Sequence, residues 1–339
     1  MTLKRTILLL GLVSSCAGLE AELATPAGSE AYSNAVSPII GYGSVYGTVL
    51  GAAWFRYPAA DAELERPIYR DVFVQGTVGG QFSLQIQRRQ PDLWPEWDYS
   101  LALSVDNFFD YEFPDGASDY QRFERWRLTL GNEMSRTIIG PLSVLGRVSV
   151  AGRLHERDGD DVNAYPGLGL RWDSRDTGIN PRRGTYAVIA AEVQPDALHS
   201  KSLNQTGWRG GLDVRRYIPL AGTSVVALRF DGNATDGEVF DAALGGDEQL
   251  RGYVARRFVG ESSMAAQAEV RFPLLGWVSG VAFAETGWIQ DSDHAETPSS
   301  VGGGLRFGLP PDGEMKVRAD LGMSAEGDVQ FFVSFNQVF

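Results

Sequence analysis

One-by-one alternation of apolar and polar residues runs through most of this chain, and it limits the fold more than any other feature. Val317, Ala319, Leu321 and Met323 share one face while Lys316, Arg318 and Asp320 share the other, the period of a strand with two unlike surfaces. Val329, Phe331, Val333, Phe335 and Phe339 alternate with Asp328, Gln330, Ser334 and Asn336 in the same way. Tyr99, Leu101, Leu103 and Val105 alternate with Ser100, Ala102, Ser104 and Asp106, and Trp126, Leu128 and Leu130 alternate with Arg125, Arg127 and Thr129. In a soluble sandwich the polar face would meet bulk water; in a membrane barrel it would line a wet lumen, with the apolar face against lipid.

The start of the chain narrows the choice. Lys4 and Arg5 precede the only long apolar run, Thr6 to Leu19, which is short for a membrane span and reads as a secretory signal over residues 1–21. Val13-Ser14-Ser15-Cys16 is an alternative lipoprotein signal ending before Cys16. No helical span follows Leu19, so a membrane protein built from the remainder must be a barrel. Residues 22–36 are expected to form a short periplasmic segment, too short for a folded domain, and residues 37–339 the barrel itself.

The expected fold is therefore all-β, a transmembrane antiparallel β-barrel of about 16 strands, with 12 or 14 as alternatives. Strands are expected near 37–44, 46–57, 70–79, 81–88, 97–110, 120–136, 141–156, 164–173, 184–194, 204–218, 223–233, 262–272, 277–289, 300–309, 315–324 and 328–339. One set of connections is short, such as Pro219–Gly222, Pro273–Gly276 and Pro310–Gly313. The other is longer and acidic: Asp110–Asp119, Glu156–Asp161, Gln290–Glu296 and the stretch from Gly232 to Ser262. Short turns face the periplasm in outer-membrane barrels, which would put both chain ends there. Trp54, Trp97, Trp126, Trp172, Trp208, Trp277 and Trp288 fall near strand ends or faces, as interfacial girdles require.

Composition removes several function classes. With 43 acidic and 30 basic side chains the net charge is -13, which argues against a nucleic-acid partner. One Cys and three His leave little for a metal centre, and no cofactor is expected. His155, His199 and His294 fall in or beside different loops, and no nucleophile, base and orienting group occur together, so no catalytic residues and no enzyme are expected. The glycine-rich strings Gly41–Gly47 and Val301–Gly308 lack the strand-then-helix context of a phosphate cradle.

The stretch from Leu244 to Leu274, LGGDEQLRGYVARRFVGESSMAAQAEVRFPL, resembles the bacterial surface antigen superfamily of outer-membrane protein assembly factors, the BamA/TamA-type barrels. Trp172 to Gly184, WDSRDTGINPRRG, resembles that family's Asp-x-Arg-Asp stretch. The resemblance implies a long loop folded into the lumen and carrying Leu250, Arg251, Gly252 and Tyr253. It also implies that Glu269 and Glu285, on the next two strands, hold Arg251 there. Strand parity agrees for Glu269, which falls on the polar face with Gln267 and Arg271. A catalytic carboxylate pair is the other way to read Glu269 and Glu285, although barrels routinely line their lumen with charge. Phe331, Phe335 and Phe339 resemble the C-terminal recognition signal of outer-membrane barrels. The chain would be a short form without the family's periplasmic POTRA domains.

The function so implied is assistance to protein, or lipid, insertion or translocation at the bacterial outer membrane. A passive or gated channel, or a subunit needing a separate periplasmic partner, are the alternatives. Implied partners are outer-membrane lipid and lipopolysaccharide, the barrel assembly machinery through the C-terminal strand, and a client polypeptide.

Overall fold

A computed structural model describes residues 32–339 apart from 44–46, 59–67, 95, 113–120, 156–159, 201–205, 237–241, 292–293, 311–312 and 336. The expected signal, Cys16 and most of residues 22–36 lie outside the described residues.

Sixteen antiparallel strands form the wall of a nearly closed barrel. In chain order the first eleven are β1 (Tyr32–Gly43), β2 (Gly47–Pro58), β3 (Tyr69–Thr77), β4 (Phe82–Trp94), β5 (Trp97–Glu112), β6 (Gln121–Ile139), β7 (Leu142–His155), β8 (Asp161–Asp173), β9 (Gly184–Gln194), β10 (Gly207–Pro219) and β11 (Val225–Asp236). Two short strands, β12 (Ala242–Leu244) and β13 (Phe258–Gly260), then pair with each other outside the wall. The wall resumes with β14 (Ser262–Leu275) and β15 (Val278–Gln290), and the two-residue β16 (Ala295–Glu296) pairs with the end of β15. It closes with β17 (Ser299–Gly308), β18 (Lys316–Ser324) and β19 (Val329–Phe335). Each wall strand pairs with the next in sequence, up to β18 with β19. The small strands β12, β13 and β16 are additions to the sequence-based expectation, and β1 begins at Tyr32, earlier than expected.

The two faces separate as the alternation requires. Leu168, Ile189, Leu212, Phe230, Val301, Leu321 and Phe331 point outward and are exposed, while Glu192, Asp231, Gln267, Glu269, Glu285, Arg306, Arg318 and Asp320 point inward and are buried. An exposed apolar belt of this extent needs a nonaqueous neighbour, and a surrounding bilayer supplies it. Trp172 and Trp277 at one rim and Trp208 near the other are outward and exposed.

The inner wall beside the β1–β19 junction departs from this rule. Ala35, Ile39, Ala53, Phe55 and Tyr57 face inward yet are apolar, and Met315 and Leu309 of the β17–β18 turn pack on them. The connection between β8 and β9 reaches the same place. Ile179 packs on this cluster, and Asn180 Oδ1 accepts a hydrogen bond from Gln337 Nε2 at 3.1 Å. Since β8 and β9 sit half-way round the sixteen-stranded wall from β19 and β1, this turn crosses the mouth of the barrel. It is braced from within: Arg175 donates Nε to Asp173 at 2.9 Å and lies 4.4 Å from the Tyr186 ring. Asp176 accepts main-chain hydrogen bonds from Arg182 at 3.0 Å and Arg183 at 3.4 Å.

Candidate functional site: a buried arginine on the lumen wall

The connection from β11 to β14 leaves the upper rim, opposite the rim where β1 begins and β19 ends, and turns back into the lumen. β12 and β13 form the neck of this excursion. Gly245 and Gly246 follow β12 with φ of 108° and 110°, backbone open to glycine but not to residues with a Cβ. A Cβ on Gly245 would lie 2.5 Å from the Val254 carbonyl oxygen, so the neck is also too tight for one. Leu250 takes a left-handed φ of 46° and is fully buried with Leu244, Tyr253, Phe258, Ala265 and Ile289. That apolar packing offsets the strain, which is of order 1–3 kcal/mol for such a residue.

Arg251 is thereby delivered to the wall with no exposed surface. Its main-chain N–H donates to Glu285 Oε2 at 2.6 Å and its Nε to Glu285 Oε1 at 2.8 Å. Its Nη1 pairs with Glu269 at 2.8 Å and donates to Asp320 at 3.1 Å. The guanidinium carbon lies 3.5 Å from the centroid of the Phe283 ring. Glu285 is completed by Gln267 Nε2 at 2.8 Å and Ser300 Oγ at 2.9 Å. The carboxylates on β14, β15 and β18 converge because the wall is curved.

More arginines share those carboxylates. Arg271 donates Nε to Glu269 at 2.9 Å, Arg306 donates Nη2 to Asp320 at 3.2 Å, and Arg318 reaches Asp320 at 3.4 Å. Arg318 also donates to the loop itself, at Asp247 Oδ2, over 2.6 Å. Four cations thus surround three buried carboxylates, which keeps charge close to balance in a place where an unpaired ion would cost several kcal/mol.

The loop backbone touches the wall where side chains are missing. A Cβ on Gly252 would lie 2.5 Å from the Ser324 main-chain nitrogen, and one on Gly322 would lie 2.2 Å from the Arg251 carbonyl oxygen. Glycine on both sides of the contact lets loop and strand meet directly. Tyr253 then donates its hydroxyl to Glu326 in the β18–β19 turn at 2.6 Å, and its ring stands edge-on to Phe258 at 5.0 Å. Burial and the Glu326 carboxylate both raise the Tyr253 phenol above its ordinary pKa. The hydrogen bond from Tyr253 in turn lowers Glu326.

The residues expected to meet do so: Arg251 contacts both Glu269 and Glu285. Asp320, Arg306 and Arg318 complete the cluster. Sequence parity put Arg318 and Asp320 on the polar face with nothing to mark them apart from other lumenal charges. A catalytic pair is not what the geometry supports, because both glutamates are closed off by arginine and hydrogen-bond donors. Among the described residues no group of three His, Cys, Asp or Glu could hold a metal ion.

The C-terminal aromatic pattern needs correction. Phe331 is outward and exposed, but Phe339 is buried inside the barrel with Val338 against Tyr217, Val225 and Ala227. Its main-chain oxygen accepts a hydrogen bond from Arg271 Nη2 at 2.7 Å. The strand ends at Phe335, so two-residue parity no longer governs the residues after it. The side chain of Phe335 lies outside the described residues.

Comparison with solved structures gives the same architecture. BamA from Haemophilus ducreyi lacking POTRA domains 1–3 matches 90% of this chain at 12% identity and a TM-score of 0.59. CdiB from Escherichia coli matches 92% at 12% identity and a TM-score of 0.63. CdiB from Acinetobacter baumannii matches 90% at 11% identity and a TM-score of 0.58. The chain spans 70% of that BamA chain, and 63% and 59% of the two CdiB chains. A search of curated proteins finds no match. The Omp85 superfamily domain matches residues 71–326, from within β3 to the turn after β18 that receives Tyr253, and the chain therefore belongs to the Omp85 superfamily.

Proposed function

We propose that this chain is an outer-membrane barrel that assists the insertion or translocation of polypeptide, or of lipid, with Arg251 fastening the inward loop. The rim bearing the start of β1 and the end of β19 faces the periplasm in this reading, and the inward loop arises on the cell exterior. Lipid and lipopolysaccharide surround the belt, and a client polypeptide or a periplasmic partner meets the periplasmic rim. The barrel assembly machinery recognises the C-terminal strand.

One observation carries the proposal. β1 and β19 lie side by side, yet no ladder joins them among the described residues, while every other neighbouring pair of wall strands is laddered. A barrel serving only as a pore gains nothing from an unpaired edge, since closure is what satisfies backbone groups in a bilayer. An open junction offers an edge on which another strand can pair.

The test uses liposomes carrying the full-length barrel, with an unfolded outer-membrane barrel protein added as client. Client folding should be faster than in empty liposomes, and cysteine pairs that cross-link β1 to β19 should abolish the gain. Acceleration that survives cross-linking, or none at all, rejects the seam as the working element. A large, steady conductance that is identical in the native chain and Arg251→Ala would favour a channel instead.

A further inference from the structure

A second site lies at the rim where β19 ends, outside the Arg251 contacts. A cavity of about 930 Å³ runs past the β14–β15 turn, a volume within the range of small-molecule sites. On its inner side stands Arg271, whose side chain is 7% exposed. Its Nε is taken by Glu269 and its Nη2 by Phe339, but Nη1, although buried, has no hydrogen-bond partner among the described residues. A buried unsatisfied guanidinium N–H is costly, and anionic oxygen is its strongest partner. Arg182 and Lys316 also line the cavity, with Glu314 the acidic residue among its described lining. Among the described lining residues, three are cationic and one is acidic, although the whole chain carries -13.

The other side of the cavity is apolar. Phe272, Trp277 and Phe307 line it, with Trp277 and Phe307 5.7 Å apart and Trp277 65% exposed. Alternation places Phe307, with Leu305, on the outward face. The cavity therefore joins a cationic interior to an aromatic exterior at the rim of the lipid belt.

We propose that this cavity binds an anionic amphiphile, the head group accepting from Arg271 Nη1 with Arg182 and Lys316 nearby and the alkyl chain lying over Trp277 and Phe307. A free carboxylate and an anionic phospholipid of the adjoining leaflet share this chemistry. The inference does not rest on the seam, and its experiment involves no client.

The probe is octanoate labelled with ¹³C at the carboxyl, titrated into the full chain in nanodiscs of zwitterionic lipid and followed by carboxyl NMR. The native protein should show saturable binding. Arg271→Gln should weaken it about tenfold or more, as expected for loss of a charge-assisted hydrogen bond. Octanol should not compete. Dihexanoyl phosphatidylglycerol competing more strongly than unlabelled octanoate would identify phospholipid as the occupant, and the reverse order a free carboxylate. Equal affinity in Arg271→Gln, or octanol competing as well as octanoate, overturns the site. Should Arg271→Gln fail to refold, Trp277→Ala at the exposed rim carries the test, because it removes the surface for the alkyl chain and leaves the buried ions intact. Unchanged octanoate affinity in Trp277→Ala then refutes the proposal.

Discussion

Removing the guanidinium of Arg251 does not injure its three carboxylates equally. In Arg251→Ala, Glu269 keeps Arg271, and Asp320 keeps Arg306 and Arg318. Glu285 keeps only neutral donors, Gln267, Ser300 and the main-chain N–H of residue 251, having lost the guanidinium that paired with it. One buried carboxylate is thus orphaned, which is expected to destabilise the barrel by about 3–5 kcal/mol. The double variant Arg251→Ala/Glu285→Gln removes the orphan charge and should recover much of that loss, giving a coupling energy of about 2 kcal/mol or more. Glu269→Gln paired with Arg251→Ala should couple less, because Arg271 already serves Glu269. The assay is reversible urea unfolding in lipid vesicles, read by tryptophan fluorescence and by heat-modifiable gel mobility. Additivity of Arg251→Ala and Glu285→Gln within about 0.5 kcal/mol would falsify the view that Glu285 depends on Arg251.

Three further outcomes follow from the same contacts. Gly322→Ala leaves every charge in place but drives a methyl into the Arg251 carbonyl, so single-channel conductance should rise as the loop is displaced; unchanged conductance would contradict the direct backbone contact. Arg318→Cys should resist an aqueous thiol reagent, being 3% exposed beneath Asp247, and should react once Arg251→Ala is added; equal reactivity in both backgrounds would mean the loop does not cover β18. The lowered pKa of Glu326 contributes stability above the ordinary glutamate range, lost as pH falls through its folded value. Tyr253→Phe should therefore flatten the acid limb of the melting profile between those two values, and parallel profiles for variant and native protein would remove Tyr253 as the cause.

The sequence is informative where a strand has two unlike faces. β5, β6, β18 and β19 alternate because one face meets lipid and the other meets charge or water. β1 and β2 do not, since Ala35, Ile39, Phe55 and Tyr57 face an interior made dry by Ile179, Leu309 and Met315. With Val36 and Leu50 on the outer face, apolar residues occupy both sides and the period is lost. At the site, Arg251 and its two glutamates could be named from a motif and from parity. Asp320 could not, because its proximity to Arg251 depends on wall curvature that joins β14 to β18 across the intervening strands. Phe339 was misplaced by extending strand parity past the point where the ladder stops.

The β8–β9 turn spans the mouth of the barrel from one wall to the other, ending on the inner face of β1 and β2 and on Gln337 beyond β19. Mechanically it is a tie rod across the diameter at the weakest point of a hoop. Ile179 packs on the apolar cluster that the inner face of β1 and β2 shares with Met315, and Asn180 holds Gln337 beyond β19, so parting β1 from β19 strains the contacts of the turn. Stiffness absent from the missing ladder is thereby supplied in part from the far wall.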